Sequence, residues 1–145
     1  MNEQVYAFLM GKRLKKVLRA RYGRLRKRYG ITQLDIELLL YFEEHPGALA
    51  SDVIQYLDLN KGNVSTALFS LYRDGLVDGR ENDNDRRVVQ YYLKEKGKKI
   101  VKEAQAVRDD VMNHLFQGMT KQELSVLESI AEKTFRNLDD LIKRV

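Results

Sequence analysis

Residues 48–93 run ALASDVIQYLDLNKGNVSTALFSLYRDGLVDGRENDNDRRVVQYYL. Two short helical segments come first, Ala48–Leu57 and Asn60–Asp74, joined by a tight turn. In the second, Asn60 suits the cap, Gly75 suits the stop, and Val64, Leu68, Leu71 and Leu76 form an inward apolar stripe. The pattern then changes period. Leu76–Arg80 and Arg87–Leu93 are rich in Val and Tyr and suit strands, and the polar run Glu81-Asn82-Asp83-Asn84-Asp85-Arg86 between them suits a turn. A helix-turn-helix leading directly into a hairpin with a charged tip is a winged helix.

Working outward, Asn2 to about Arg28 reads as one long helix, with Met10, Leu14, Val17, Leu18, Leu25 and Tyr29 at helical spacing and Gly30 as its stop. Thr32 with Asp35 forms a variant capping box that opens an apolar helix ending at His45-Pro46-Gly47. Beyond the hairpin, Ile100, Ala104, Val107, Val111 and Leu115 share one stripe, and Gly118 breaks it. Thr120 with Glu123 is a full capping box. After it Leu124, Leu127, Ala131, Leu138, Leu141 and Val145 fall on heptad a and d positions, with Thr134 as the lapse. The expected fold class is mainly α with a small β-hairpin wing, a winged helix-turn-helix flanked by helices.

A chain of 145 residues builds a core without staples. It has no cysteine, which excludes disulfides, thiolate metal sites and a thiol redox switch, and its two histidines, His45 and His114, make no metal motif. Neither a metal nor a cofactor is therefore expected. Nothing near Met1 resembles a secretory leader, and no segment approaches the ~20 apolar residues of a membrane span. A cytoplasmic protein without membrane contact is the expectation.

The net charge is +5, but ten basic residues and no acidic one lie between Lys12 and Arg28, leaving sixteen basic against twenty-one acidic residues elsewhere. Three readings of that helix stay open: a solvated face, supplementary contact with DNA phosphates, and a membrane or partner surface. An enzyme does not emerge. Asp109-Asp110 and Asp139-Asp140 are adjacent, so each pair splays about 100° around a helix. Asp83 and Asp85 start like a calcium loop but lack its central Gly and terminal Glu.

In a helix-turn-helix the second helix enters the major groove, and its N-terminal residues reach base edges. Here those residues are Asn60, Lys61, Gly62, Asn63, Ser65 and Thr66. Asn can pair two hydrogen bonds with adenine, while Ser, Thr and Lys serve base or phosphate. Ser51, at the start of the preceding helix, is placed for a phosphate. On the hairpin, Arg86 is placed to enter the minor groove beside Asn84. Arg87, facing the other way in an extended strand, is expected to pair with Asp85 or touch phosphate. Solvated polar faces and an ordinary exposed hairpin account for the same residues if no DNA is involved.

Leu59-Asn60-Lys61-Gly62-Asn63-Val64-Ser65 and Leu71-Tyr72-Arg73-Asp74-Gly75-Leu76-Val77 resemble the recognition helix and exit of MarR-type regulators. Asp85-Arg86-Arg87-Val88-Val89 and Leu93-Lys94-Glu95-Lys96-Gly97 resemble their wing and the join that follows. The resemblance spans essentially the whole chain. It implies one domain over 1–145, with about 31–94 as the DNA-binding lobe and about 1–30 and 95–145 as dimerisation helices. Val5, Leu9, Val111, Leu115, Leu124, Leu127, Leu138 and Leu141 are the expected dimer contacts. The resemblance further implies a homodimeric, ligand-responsive repressor on a pseudo-palindromic operator of double-stranded DNA. Its effector would be a small amphipathic or anionic molecule lined by Tyr22, Tyr41, Phe42 and Arg108. The chain departs from the common wing pattern at Asn82 and Asn84, and Thr66 stands where an arginine is frequent. The alternative to a regulator is a winged-helix protein-interaction adaptor or a non-specific DNA binder.

Overall fold

The computed structural model describes residues 11–145. In chain order the elements are α1 (Lys12–Arg21), α2 (Gly23–Tyr29), α3 (Gln33–Glu44), α4 (Ala50–Leu57), α5 (Lys61–Arg73), β1 (Val77–Glu81), β2 (Val89–Leu93), α6 (Glu95–Leu115) and α7 (Lys121–Lys143). The chain divides into a lobe that runs to Asp109 and a helical unit from Asp110 to Val145.

The long first helix expected to run to Arg28 is two segments that meet at Tyr22. Backbone bonds still pass through the join, Tyr22 N–H to the Leu18 carbonyl at 2.9 Å and Arg26 N–H to the Tyr22 carbonyl at 2.9 Å. Tyr22 is buried, and Gly23 beside it is a weak helix former, so the chain can adjust there to seat the ring. The Thr32–Asp35 box forms in both directions, with bonds of 2.9 and 3.1 Å, and starts α3. Ile36, Leu38, Leu39 and Phe42 of α3 are fully buried and centre the lobe's core. Val53 of α4, Val64, Leu68 and Leu71 of α5, and Ile100, Val101 and Ala104 of α6 belong to the same core. Tyr22 and Leu25 also join it, so the helix-turn-helix is packed on both of its sequence flanks.

The expected start of α4 at Ala48 is corrected to Ala50. Ala48 is taken by a β-bridge to Tyr91, and Leu49 is extended as the N-cap. At the end of α5, Gly75 adopts a left-handed conformation at φ 75°. Leu76 N–H bonds back to the Leu71 carbonyl at 2.9 Å and Gly75 N–H to the Tyr72 carbonyl at 3.1 Å, a Schellman closure that delivers the chain into β1. β1 and β2 pair antiparallel from Val77↔Leu93 to Glu81↔Val89. On its other edge β2 holds the segment before α4, through Gly47 N–H to the Tyr91 carbonyl at 2.9 Å and Tyr91 N–H to the Ala48 carbonyl at 3.0 Å. Gly97 closes the lobe. A Cβ there would stand 2.2 Å from the Leu76 carbonyl oxygen, so only glycine lets the first turn of α6 lie against that backbone.

In the C-terminal unit α6 ends before Gly118, and α7 begins from a complete capping box. Thr120 N–H donates to Glu123 Oε2 at 2.8 Å, and Glu123 N–H donates to Thr120 Oγ1 at 3.1 Å. Val111 is buried and Leu115 exposed. Of the heptad positions, Leu124, Leu127, Ala131 and Thr134 are half-buried, whereas Leu138, Leu141 and Val145 are exposed. Val126, Ile130, Phe135 and Ile142, which that repeat leaves out, are exposed as well. The Thr134 hydroxyl donates to the Ile130 carbonyl at 2.8 Å, which satisfies its polar atom within the helix. Val5 and Leu9 lie outside the described residues.

Candidate nucleic-acid interface

At the N-terminus of α5, Asn60 is the cap, and its Oδ1 accepts the Asn63 N–H at 3.1 Å. That bond occupies one lone pair of the oxygen that a bidentate pairing with adenine requires and fixes the carboxamide against the helix end, so Asn60 is less free than Asn63 to pair with a base. Gly62 makes room for the cap, because a Cβ at this position would lie 3.2 Å from Asn60 Oδ1. The next turn presents Lys61, Asn63 and Ser65, all exposed and without a side-chain partner among the described residues. Asn63 thus keeps both its carboxamide donor and its acceptor. The Thr66 hydroxyl donates back to the Gly62 carbonyl at 3.0 Å. Further along the helix Phe69 is 68% and Tyr72 56% exposed. The sequence reading stopped at Thr66 and missed both, although Phe69 sits one turn beyond it.

The hairpin tip is a closed ring. Asn82 N–H bonds to the Val88 carbonyl at 2.9 Å, Val88 N–H to the Asp85 carbonyl at 3.0 Å, and Asn84 N–H to Asn82 Oδ1 at 2.8 Å. Arg87 is in this turn and not in an extended strand as expected, since β2 begins only at Val89. It does pair with Asp85, with Nε at 3.2 Å from Oδ1 and Nη2 at 3.4 Å from Oδ2, and its own N–H adds a bond of 3.0 Å. The Arg87 guanidinium, and then its N–H, hold the Asp85 carboxyl below its ordinary range. Arg86 is exposed and has no partner among the described residues. The two arginines therefore present themselves differently to an anion: Arg87 is paired with Asp85, and Arg86 is unpaired among the described residues.

Ser51 is exposed at the start of α4. Beside it Asp52 accepts the Leu49 N–H at 2.8 Å, so this helix end already carries an anion, which opposes a phosphate beside the Ser51 hydroxyl. Within the basic helices, Arg26 is tied to the Arg19 carbonyl at 2.6 Å and to Gln33 Oε1 at 2.7 Å, and Arg28 to Glu103 at 3.1 Å. Lys12, Arg13, Lys15 and Lys16 are exposed. Of the residues expected to line an effector, Tyr22 and Phe42 are core side chains. Tyr41 is half-buried in a ring cluster with His45 and Tyr56, at centroid distances of 4.5 and 5.4 Å. Arg108 pairs with Glu44 at 3.6 Å, and its charge also reaches Tyr22, whose hydroxyl pKa is raised chiefly by burial. Among the described residues there is no acidic or histidine cluster that would hold a metal ion, and no helix long and apolar enough to cross a membrane.

A profile of the MarR family matches residues 29–88, from the end of α2 to the wing tip. The transcriptional repressor MprA of Escherichia coli is 27% identical over 121 residues, which cover 82% of this chain and 69% of that protein. The crystal structure of MarR superposes with a TM-score of 0.81 over 100% of this chain and 99% of its own, at 17% identity. Over residues 29–88 the chain is similar to the MarR family, and its fold is that of MarR. The same fold is found in the crystal structure of Streptococcus pneumoniae FabT in complex with DNA, with a TM-score of 0.73, 23% identity, and coverage of 97% of this chain and 99% of that one. The segment matched by the family profile carries every residue described above from Ser51 to Arg87.

Proposed function

We propose that the chain is a sequence-specific regulator of transcription that binds double-stranded DNA, acting in the cytoplasm as a homodimeric repressor and without catalytic chemistry. The observation that carries this reading is the outward face at the start of α5. Lys61, Asn63 and Ser65 hold unspent donors and acceptors there, in the same lobe as a hairpin tip whose Arg86 is unpaired among the described residues. Side chains with free hydrogen-bonding capacity on a helix of this kind suit the major groove. A free guanidinium at a wing tip suits a narrow, electronegative minor groove. That a FabT structure of the same fold holds DNA supports the assignment. The exposed lysines of α1 would add phosphate contacts, which raise affinity without reading sequence.

Dimerisation through the helices at the two ends of the chain, α7 foremost, would set two recognition helices against successive major grooves, about one helical turn apart. Occupation of such a site would block a promoter by exclusion. An anionic effector at Arg108 would have to displace Glu44, and so would release a restraint between α3 and α6.

Selection of the protein on randomised duplex DNA at ~150 mM salt, where non-specific phosphate binding is suppressed, tests the reading. Enrichment of a pseudo-palindrome with half-sites ~10 bp apart is expected. A folded, dimeric protein that enriches nothing would instead be an adaptor that reuses the winged helix to bind other proteins.

A further inference from the structure

Gly62, Thr66 and Phe69 stand at i, i+4 and i+7 and so form one stripe along α5. The stripe changes character along its length. Gly62 offers bare backbone, and the Thr66 hydroxyl is spent on the Gly62 carbonyl, so the methyl is the free end of that side chain. Phe69 follows, 68% exposed, with no ring packed on it among the described residues. No basic side chain interrupts this part of the helix. The next one, Arg73, is folded back onto Asp74 at 3.3 Å and Ser70 at 3.2 Å. A guanine edge in the major groove asks for an arginine or lysine against its O6 and N7, which this stretch lacks. A thymine presents a methyl, and the side-chain groups that recognise it are a Thr methyl or an aromatic ring.

We infer that Thr66 and Phe69 form a methyl-reading surface that selects thymine at defined positions of each half-site. The inference rests on the DNA-binding reading and deepens it. Polar Lys61 and Asn63 at the helix start read hydrogen-bonding edges, and the second turn and a half reads shape and apolarity. The exposed ring is then covered when DNA is bound, which accounts for a large aromatic group left bare in the unbound protein.

Replacement of single thymines by deoxyuridine in the selected operator removes only the 5-methyl group and leaves base pairing unchanged. Affinities of the wild-type protein, Phe69→Ala and Thr66→Ser are measured on the full set of singly and doubly substituted duplexes. At one or two positions per half-site the wild type is expected to lose about fourfold in affinity for each methyl, and about fifteenfold when both half-sites are changed. Phe69→Ala should be weaker on the parent operator and indifferent to deoxyuridine at the position it reads. Thr66→Ser keeps the hydroxyl that bonds Gly62, and should lose sensitivity at the neighbouring position alone. Circular dichroism confirms the fold of both variants. Equal wild-type affinity across all deoxyuridine duplexes overturns the inference while leaving the DNA-binding reading intact. So does a Phe69→Ala protein that keeps full sensitivity, or one that changes only in oligomeric state. Failure to select any operator overturns both readings together.

Discussion

Two asparagines three residues apart on α5 have different work to do. Asn60 spends its oxygen on the Asn63 N–H, so its main contribution is to helix stability. Asn60→Ala is expected to cost about 0.5–2 kcal/mol in urea unfolding, the usual scale for a lost N-cap. Asn63 caps nothing with its side chain, so Asn63→Ala should leave the unfolding midpoint nearly unchanged and lower affinity for the operator by about 1–3 kcal/mol. A reversed ranking in paired melting and binding measurements would move the adenine reader from Asn63 to Asn60. The chain alone offers Asn60 both as cap and as base reader, and Asn63 as a second base reader. The competition is settled by which oxygen faces the first free N–H of the helix, and composition does not contain that. Phe69 was missed for a related reason. An aromatic residue in a helix reads as core until its neighbours Val64, Leu68 and Leu71 are seen to fill the inward face without it.

At the scale of elements, the wing separates its two arginines by geometry. Arg86→Ala should weaken operator binding about tenfold, the scale of one charge-assisted hydrogen bond, with the largest loss on sites whose flanks are A·T-rich. Arg87→Ala should change affinity less and disturb the tip instead, seen as shifted amide signals from Asn82 to Val88. The opposite ranking would give the groove-probing role to Arg87. Because Arg87 lowers the Asp85 pKa, this clasp is present above the ordinary carboxylate range and is lost as pH falls through the depressed one. The same amide signals should therefore move together as pH falls below the ordinary carboxylate range. The join at Gly97 makes a different demand. Gly97→Ala forces a Cβ against the Leu76 carbonyl oxygen and is expected to cost about 1–3 kcal/mol or more in unfolding, with no direct effect on a DNA contact.

Most of these elements were legible in the chain. The boxes at Thr32 and Thr120, the cap at Asn60 and the stop at Gly75 are local chemistry and stand where spacing placed them. The start of α4 was not legible, since Ala48 is held by Tyr91, a partner forty-three residues away that no local pattern reveals.

For the whole molecule, α7 exposes more large apolar side chains than any other described element. A heptad count pointed to a single seam, but half of those positions are partly covered within the protomer, and Val126, Ile130, Phe135 and Ile142 widen the exposed apolar surface. Period alone cannot tell which of two adjacent stripes faces its own chain and which faces a copy. Leu141 is 58% exposed in the protomer, so Leu141→Glu should fold normally and sediment as a monomer if the dimer is built on this helix. A dimer that survives this change would place the two-fold contact elsewhere. The basic α1 makes a second prediction at this scale. Replacing Lys12, Lys15 and Lys16 together by Gln should reduce the slope of log affinity against log salt by up to about three and leave the selected sequence unchanged.

Because β2 bonds to β1 on one edge and to Gly47 and Ala48 on the other, the root of the wing and the entrance to the helix-turn-helix are one hydrogen-bonded strip. For an operator this becomes a rule of grammar. If α5 reads bases and the wing enters a groove, as proposed, the two targets must keep a constant separation, because this bonded strip ties the wing to the helix-turn-helix. Flanking composition can vary and be tolerated by degrees. One base pair inserted between the two would shift the second target by about 3.4 Å and rotate it away, so the half-site would lose both readers' agreement in a single step.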